Sequence, residues 1–352
     1  MRTYQVADVK HVYSSNNYVA LRLVTVCGGY FLCAIYALAI SSGPSTLLAI
    51  LAFLLFKADE SFANVLYGCD QVELRLDIVG KSQIIRGVIC VSFFTAGMLI
   101  LRSLTFALLL IFLGCVLTTF LFDARQTKRL GISLVPSISA DRCAALLKEC
   151  LPSALGTAVG GLVVSIARQY FGLAYGEEAL GIYASVATPC VIIQVLAQNL
   201  YTPFLGGVAE AYKLGGRGDA RLSALRVLGI VVGTALALSL CLTVAGRPLL
   251  FALYGASIEP YVGVLMPALL VMTFVAGSLV LNDLLVVFGR LKTTLLVNLI
   301  ALFGCLAVIA PCTARWYMNG INIALIFGYS LAIAFALIQV FRCTAHGNRE
   351  CK

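Results

Sequence analysis

Charge is scarce in this chain of 352 residues: 12% of the positions are Asp, Glu, Lys or Arg, against about a quarter in soluble domains. Apolar residues make up 61%, and the mean hydropathy is +0.98. That composition excludes an ordinary soluble globular protein. Histidine is nearly missing: His11 and His346 lie near opposite chain ends, so a histidine metal site or catalytic dyad is not expected. The thirteen cysteines form no CxxC pair and no Cys/His cluster, and only Cys312 lies close to an expected outside loop, so no disulfide framework is implied. Met1 to Tyr18 is polar and holds no signal-peptide core, so insertion rests on the first span. No stretch between apolar runs exceeds roughly 25 residues, too short for a folded soluble domain.

What the chain does have is apolar runs of membrane length. They predict ten spans, at 18–40, 45–68, 83–101, 104–123, 148–171, 181–204, 226–245, 262–288, 293–311 and 320–341. The fold class is therefore an all-α polytopic membrane protein, with lobes at 1–123 (four spans) and 148–352 (six spans) joined by a linker at 124–147. The linker carries Pro136, and Ile132, Leu134, Val135 and Ile138 suit a segment on the membrane surface as well as a plain solvated loop. With the N-terminus in the cytoplasm, 20 of the 25 Lys and Arg fall inside, Arg102, Arg247 and Arg315 fall outside, and Lys57 and Arg168 fall within spans. This asymmetry sets the expected orientation, both termini cytoplasmic, and accounts for the net charge of +9 without nucleic acid.

The second span carries the most informative residues. Its apolar run, Leu47 to Phe56, covers only half a bilayer, so the helix must continue through Lys57, Asp59 and Glu60 to cross ~30 Å of hydrocarbon. A charge near the bilayer centre costs roughly 2.5 kcal/mol or more, so these groups face protein or water. On a 3.6-residue period Lys57, Glu60, Ser61, Asn64, Tyr67 and Gln71 share one face, with Asp59 at its edge. Two readings stand: a stripe lining a cavity, with Glu60 holding Lys57 until an anion displaces it, or a fixed interhelical Lys57–Glu60 pair. Arg168 is a second intramembrane cation, fit for two-point contact with phosphate or for snorkelling to the outer face. Asp283 is either a cation-responsive carboxylate or a helix-end partner of Arg290 or Lys292. Asp123 with Arg125 and Arg86 with Asp77 are read as interfacial and solvated. Gly156, Gly160, Gly161 and the run 229–233 suit close helix approach, Pro189 and Pro203 a break in the sixth span, and Gly215 to Gly218 a turn. Tyr170, Phe171, Trp316 and Tyr317 fit an interfacial belt.

An ordered series of segments resembles the polysaccharide flippases of the multidrug/oligosaccharidyl-lipid/polysaccharide exporter superfamily. It runs through Val6–Lys10, Tyr18–Leu23, Lys57–Ser61, Leu66–Gln71, Lys81–Arg86, Ala167–Tyr170, Leu180–Tyr183, Gly246–Leu249, Leu253–Gly255 and Gly320. The resemblance implies two six-helix lobes around a central cavity, with the family's first two helices absent here. It implies alternating-access export of a polyprenyl-diphosphate-linked oligosaccharide across the bacterial inner membrane for cell-surface polysaccharide assembly, without cofactor, metal or enzyme chemistry. Substrate binding would rest on Lys57, Glu60, Asn64, Tyr67, Gln71 and Arg168, and ion coupling on Glu60 and Asp283. Partners would be the lipid-linked oligosaccharide, membrane lipid and other polysaccharide assembly proteins. A cation-coupled drug exporter of the same superfamily, a membrane-embedded glycan polymerase or ligase, and an inactive truncated remnant are the alternatives.

Overall fold

The computed structural model describes residues 2–7, 13–40, 43–213 and 217–345. His11, His346, Gly215 and Gly216 therefore lie outside the described residues. The chain divides into two compact units, Met1–Lys148 and Glu149–Lys352.

In the first unit a short α1 (Arg2–Ala7) precedes α2 (Ser15–Ile40), α3 (Pro44–Val72), α4 (Leu76–Ile100) and α5 (Leu104–Thr118). A π-helical turn, Thr119–Asp123, carries α5 on into α6 (Ala124–Arg129). Pro44 opens α3 at its first turn, where a missing N–H costs nothing. At 29 residues, about 44 Å, α3 is long enough to cross a bilayer despite its charges. It packs against α1, α2 and α5, and α4 closes on α5. The expected linker is shorter than 124–147: helix persists to Arg129 and resumes at Ala140, so the irregular connection is 130–139. Asn17 Nδ2 donates to the Ser137 carbonyl at 2.8 Å and holds this connection to the start of α2.

In the second unit α7 (Ala140–Tyr175, entering from the first) is followed by three short rods, α8 (Glu177–Ala187), α9 (Val191–Tyr201) and α10 (Leu205–Lys213). The expected sixth span is thus broken where Pro189 and Pro203 fall, by a turn at 188–190 and a 3₁₀ turn at Thr202–Phe204. Next come α11 (Arg217–Tyr254), a 3₁₀ segment (Ala256–Val264), α12 (Leu265–Val287), α13 (Leu291–Trp316) and α14 (Met318–Ala345). The core lies along α12, most of whose residues between Leu265 and Val287 are buried, and which packs against α9, α11 and α14. Gly289, at φ +74, makes the turn into α13.

Nine helical segments among the described residues are long and apolar enough to span a membrane. The charged α3 makes a tenth rod. Large apolar side chains such as Phe31, Leu32, Ile35, Ile84, Val91, Leu240 and Val244 stay exposed on the outer faces, the signature of helices solvated by acyl chains. The chain is a multi-pass membrane protein.

Glycine use differs from the sequence expectation. A Cβ at Gly156 would meet the α13 backbone near Leu295 at 3.0 Å, and one at Gly160 would meet Asn298 Oδ1 at 2.7 Å, so these two do seat α7 on α13. Gly161, Gly229 and Gly233 face open space instead and serve no helix contact. The closest approach is α13 on α14, where Gly320 and Gly328 lie against opposing backbone.

Candidate functional site: a basic groove and a buried charge cluster

The polar stripe of α3 splits into two halves with different surroundings. Its upper half borders an open groove of about 230 Å³ between α2 and α3, lined by Arg22, Thr25, Tyr30, Lys57, Ser61 and neighbouring apolar groups. Lys57 Nζ donates to Glu60 Oε2 at 2.7 Å, and both side chains are about half exposed, 49% and 47%. The pair lies three residues apart on one helix, so it is intrahelical and does not staple two helices together as one sequence reading held. Lys57 Nζ also lies 5.6 Å and 5.4 Å from the Phe53 and Phe56 ring centroids, which hold the ammonium against the helix face. Arg22 faces the same groove. Its Nε donates to the Ser61 carbonyl at 2.7 Å, and it forms no ion pair among the described residues. Sequence reasoning passed over Arg22 because it sits in the first third of α2, where it counted as a flanking charge.

The lower half of the stripe is closed. Asn64 Nδ2 donates to the Glu60 carbonyl at 3.0 Å. Tyr67 is buried and shares a 2.7 Å hydrogen bond with Ser82 of α4. The Arg2 guanidinium carbon lies 5.8 Å from the Tyr67 ring centroid, and Arg2 Nε donates to Gln71 Oε1 at 3.0 Å. Gln5 donates to Cys69 Sγ at 3.2 Å, over Gly68, where any side chain would collide with it. The helix α1 thus caps this end of α3. Tyr67 and Gln71, expected at the substrate, are turned into protein contacts and do not line the groove.

Deeper in the same unit lies a charge cluster that corrects two expected pairings. Arg86 does not pair with Asp77, nor Asp123 with Arg125. Arg86 Nη1 donates to Asp59 Oδ2 at 2.8 Å, and Nη2 donates to Thr119 Oγ1 and reaches Asp123 Oδ2 at 3.4 Å. Thr119 Oγ1 in turn donates to Asp59 Oδ1 at 2.7 Å, and Thr127 Oγ1 donates to Asp70 Oδ1 at 2.8 Å. Thr119 and Asp123 bound the π-helical turn, a widened geometry that recurs at functional positions. Asp77 instead takes two bonds from Arg75, 2.8 and 3.0 Å, and its carboxylate holds the Arg75 guanidinium above its ordinary pKa. The sequence signal for the cluster was present: Asp59 lies at the stripe's edge, where a partner from the next helix reaches it.

In the second unit Arg168 lies 5.9 Å from the Tyr183 ring centroid, with its Nε buried and without a hydrogen-bond partner. Tyr183 donates to Asn322 Oδ1 at 2.8 Å. Phe171, Tyr175 and Tyr317 form an aromatic cluster beside it, with ring centroids 4.8 to 5.3 Å apart. Phe171 is fully buried, so it belongs to the packed interior and not to an interfacial belt. Asp283 Oδ2 accepts from Tyr201 at 2.8 Å, and Asn282 and Asn298 bond reciprocally at 3.3 and 3.5 Å. Among the described residues no group of three His, Cys, Asp or Glu is arranged for a metal.

Three comparisons place this architecture. No known protein-family profile matches the chain. The capsular polysaccharide biosynthesis protein CapF of Staphylococcus aureus is 24% identical over 295 residues, 83% of this chain and 73% of that protein. The Vibrio cholerae MATE transporter VcmN in its bent form superposes with a TM-score of 0.77 at 11% identity, covering 97% of this chain and 82% of that one. A MOP superfamily transporter from Pyrococcus furiosus, described as having a binding pocket of reverse polarity, superposes with a TM-score of 0.79 at 13% identity, over 98% and 84%. The all-helical fold, built from two units of membrane-length helices, is that of the MATE transporters.

Proposed function

We propose that this protein exports a lipid-linked oligosaccharide, holding its diphosphate in the groove between α2 and α3. The observation that carries the reading is the pair of cations, Arg22 and Lys57, lining one groove, with Lys57 bonded to the adjacent Glu60. An arriving diphosphate offers several charged oxygens and competes for Lys57 with one carboxylate, while Arg22 supplies a planar donor fork. Glu60, relieved of Lys57, is then free to take up a proton or cation, which links cargo to ion. Tyr30 and Thr25 give the groove the mixed apolar and hydroxyl lining that sugars use. The similarity to a capsular polysaccharide biosynthesis protein supports a glycan cargo. Within the second unit, Arg168 beside Tyr183 is a separate candidate anion contact, and Asp283 a separate candidate ion-responsive carboxylate.

The test is reconstitution in liposomes with a fluorescent polyprenyl-diphosphate oligosaccharide whose leaflet is read by an impermeant quencher. Translocation by the wild type and its loss in Lys57→Gln are expected. Transport of cationic dyes with no movement of the glycan lipid, or formation of longer glycan product without translocation, would reverse the reading.

A further inference from the structure

The cluster around Arg86 holds more negative charge than its single guanidinium can satisfy. Asp59 and Asp70 of α3 and Arg86 of α4 are the titratable groups gathered at Asp123, with Tyr67 beside them, and Asp70 also leaves one buried oxygen, Oδ2, without a hydrogen bond. Arg2 and Arg75 lie on the far side, towards Asp70. Asp59 is well served: Oδ2 takes Arg86 Nη1 at 2.8 Å and Oδ1 takes the Thr119 hydroxyl at 2.7 Å. Asp123 is not. Its exposure is 0%, its Oδ2 is 3.4 Å from Arg86 Nη2, and its Oδ1 makes no hydrogen bond. The Ser82 hydroxyl shares a 2.7 Å bond with Tyr67 in which either oxygen can donate, so at most one neutral hydroxyl is offered to Asp123. A carboxylate removed from water costs several kcal/mol unless hydrogen bonds replace its hydration, and a 3.4 Å guanidinium contact with at most one neutral hydroxyl replaces it poorly.

We infer that Asp123 is a proton-binding site: Asp59 remains the charged partner of Arg86, while Asp123 holds a proton on the π-helical turn. Loss of that proton leaves a second carboxylate beside Arg86 and draws the guanidinium from the 2.8 Å Asp59 contact towards the 3.4 Å Asp123 contact. The site is separate from the groove at Arg22 and Lys57, and it operates on how α4 and the π turn are held to α3.

Infrared spectroscopy of the purified full chain in lipid reads this directly, through the carbonyl stretch of an un-ionised carboxylic acid. The wild type should show such a band at neutral pH, shifted in heavy water and lost as the pH is raised. Asp123→Asn should remove it. Asp123→Glu should move its frequency, whereas Asp59→Glu and Asp70→Glu should leave it in place. Should Asp123→Asn fail to fold, the wild-type titration and Asp123→Glu still decide the matter. Absence of the band in the wild type at neutral pH, or a band that follows Asp59 or Asp70 instead, overturns the inference.

Discussion

Two intramembrane cations do different work, and their surroundings say which. Lys57 is half exposed and bonded to one carboxylate, so its charge is available to a ligand. Arg86 is almost closed off and bonded to three side chains, so its charge is committed to the fold. Removing a buried cation strands its carboxylates, which costs roughly 3–5 kcal/mol, whereas an exposed pair contributes about 1 kcal/mol or less. Arg86→Met is therefore expected to lower unfolding stability strongly and Lys57→Met hardly at all, checked by thermal unfolding in detergent. For the proposed ligand the converse is expected. Arg22→Gln and Lys57→Gln should each weaken binding of a polyprenyl diphosphate by about ten- to a hundredfold, the loss of one or more charge-assisted hydrogen bonds. Glu60→Gln should tighten it severalfold by freeing Lys57; titration calorimetry on the purified protein reads all three.

At the scale of the element, α3 was legible as a polar-striped helix from spacing alone, because a 3.6-residue period needs no neighbour to be seen. What covers the stripe was not legible. Nothing in the spacing of Tyr67 and Gln71 says that a six-residue α1, many positions earlier, lies over them. The Asp59–Arg86–Asp123 cluster escaped for the same reason: its members stand 27 and 37 residues apart, and proximity in sequence favoured Asp77 and Arg125. Glycines show the limit again, since Gly233 and Gly328 look alike in the sequence and only one touches a helix. A Cβ at Gly328 would strike the Ala301 carbonyl and the Cys305 backbone, which cannot move aside, so Gly328→Ala should destabilise the α13–α14 pair by about 1–3 kcal/mol. Gly233→Ala enters open space in mid-helix and should stabilise by up to about 1 kcal/mol. Denaturant unfolding of the two variants side by side checks the contrast.

For the whole molecule, apolar composition and run length were enough to read a multi-pass helical protein: against ten expected spans stand nine membrane-length apolar segments among the described residues and the charged α3. Boundaries moved where helices outrun the hydrocarbon, as α7 and α11 do at 36 and 38 residues. Orientation is a property of the chain in a bilayer, and from the concentration of Lys and Arg at 124–147 and 205–225 we propose that those segments are cytoplasmic. Ser137→Cys in a cysteine-free background should accordingly be labelled by an impermeant thiol reagent in inverted vesicles and not in intact cells. The reverse labelling pattern would invert the topology.

The charges of α3 also have a history in synthesis. A helix carrying Lys57, Asp59 and Glu60 enters lipid poorly by itself, yet the arginine that neutralises Asp59 is made 27 residues later and the threonine that completes its hydrogen bonding 60 residues later. α3 is therefore expected to become stable in lipid only once α4 and α5 have been made. A chain ended between Asp59 and Thr119 should accordingly insert α3 less completely than the full chain, which an insertion assay on truncated chains checks.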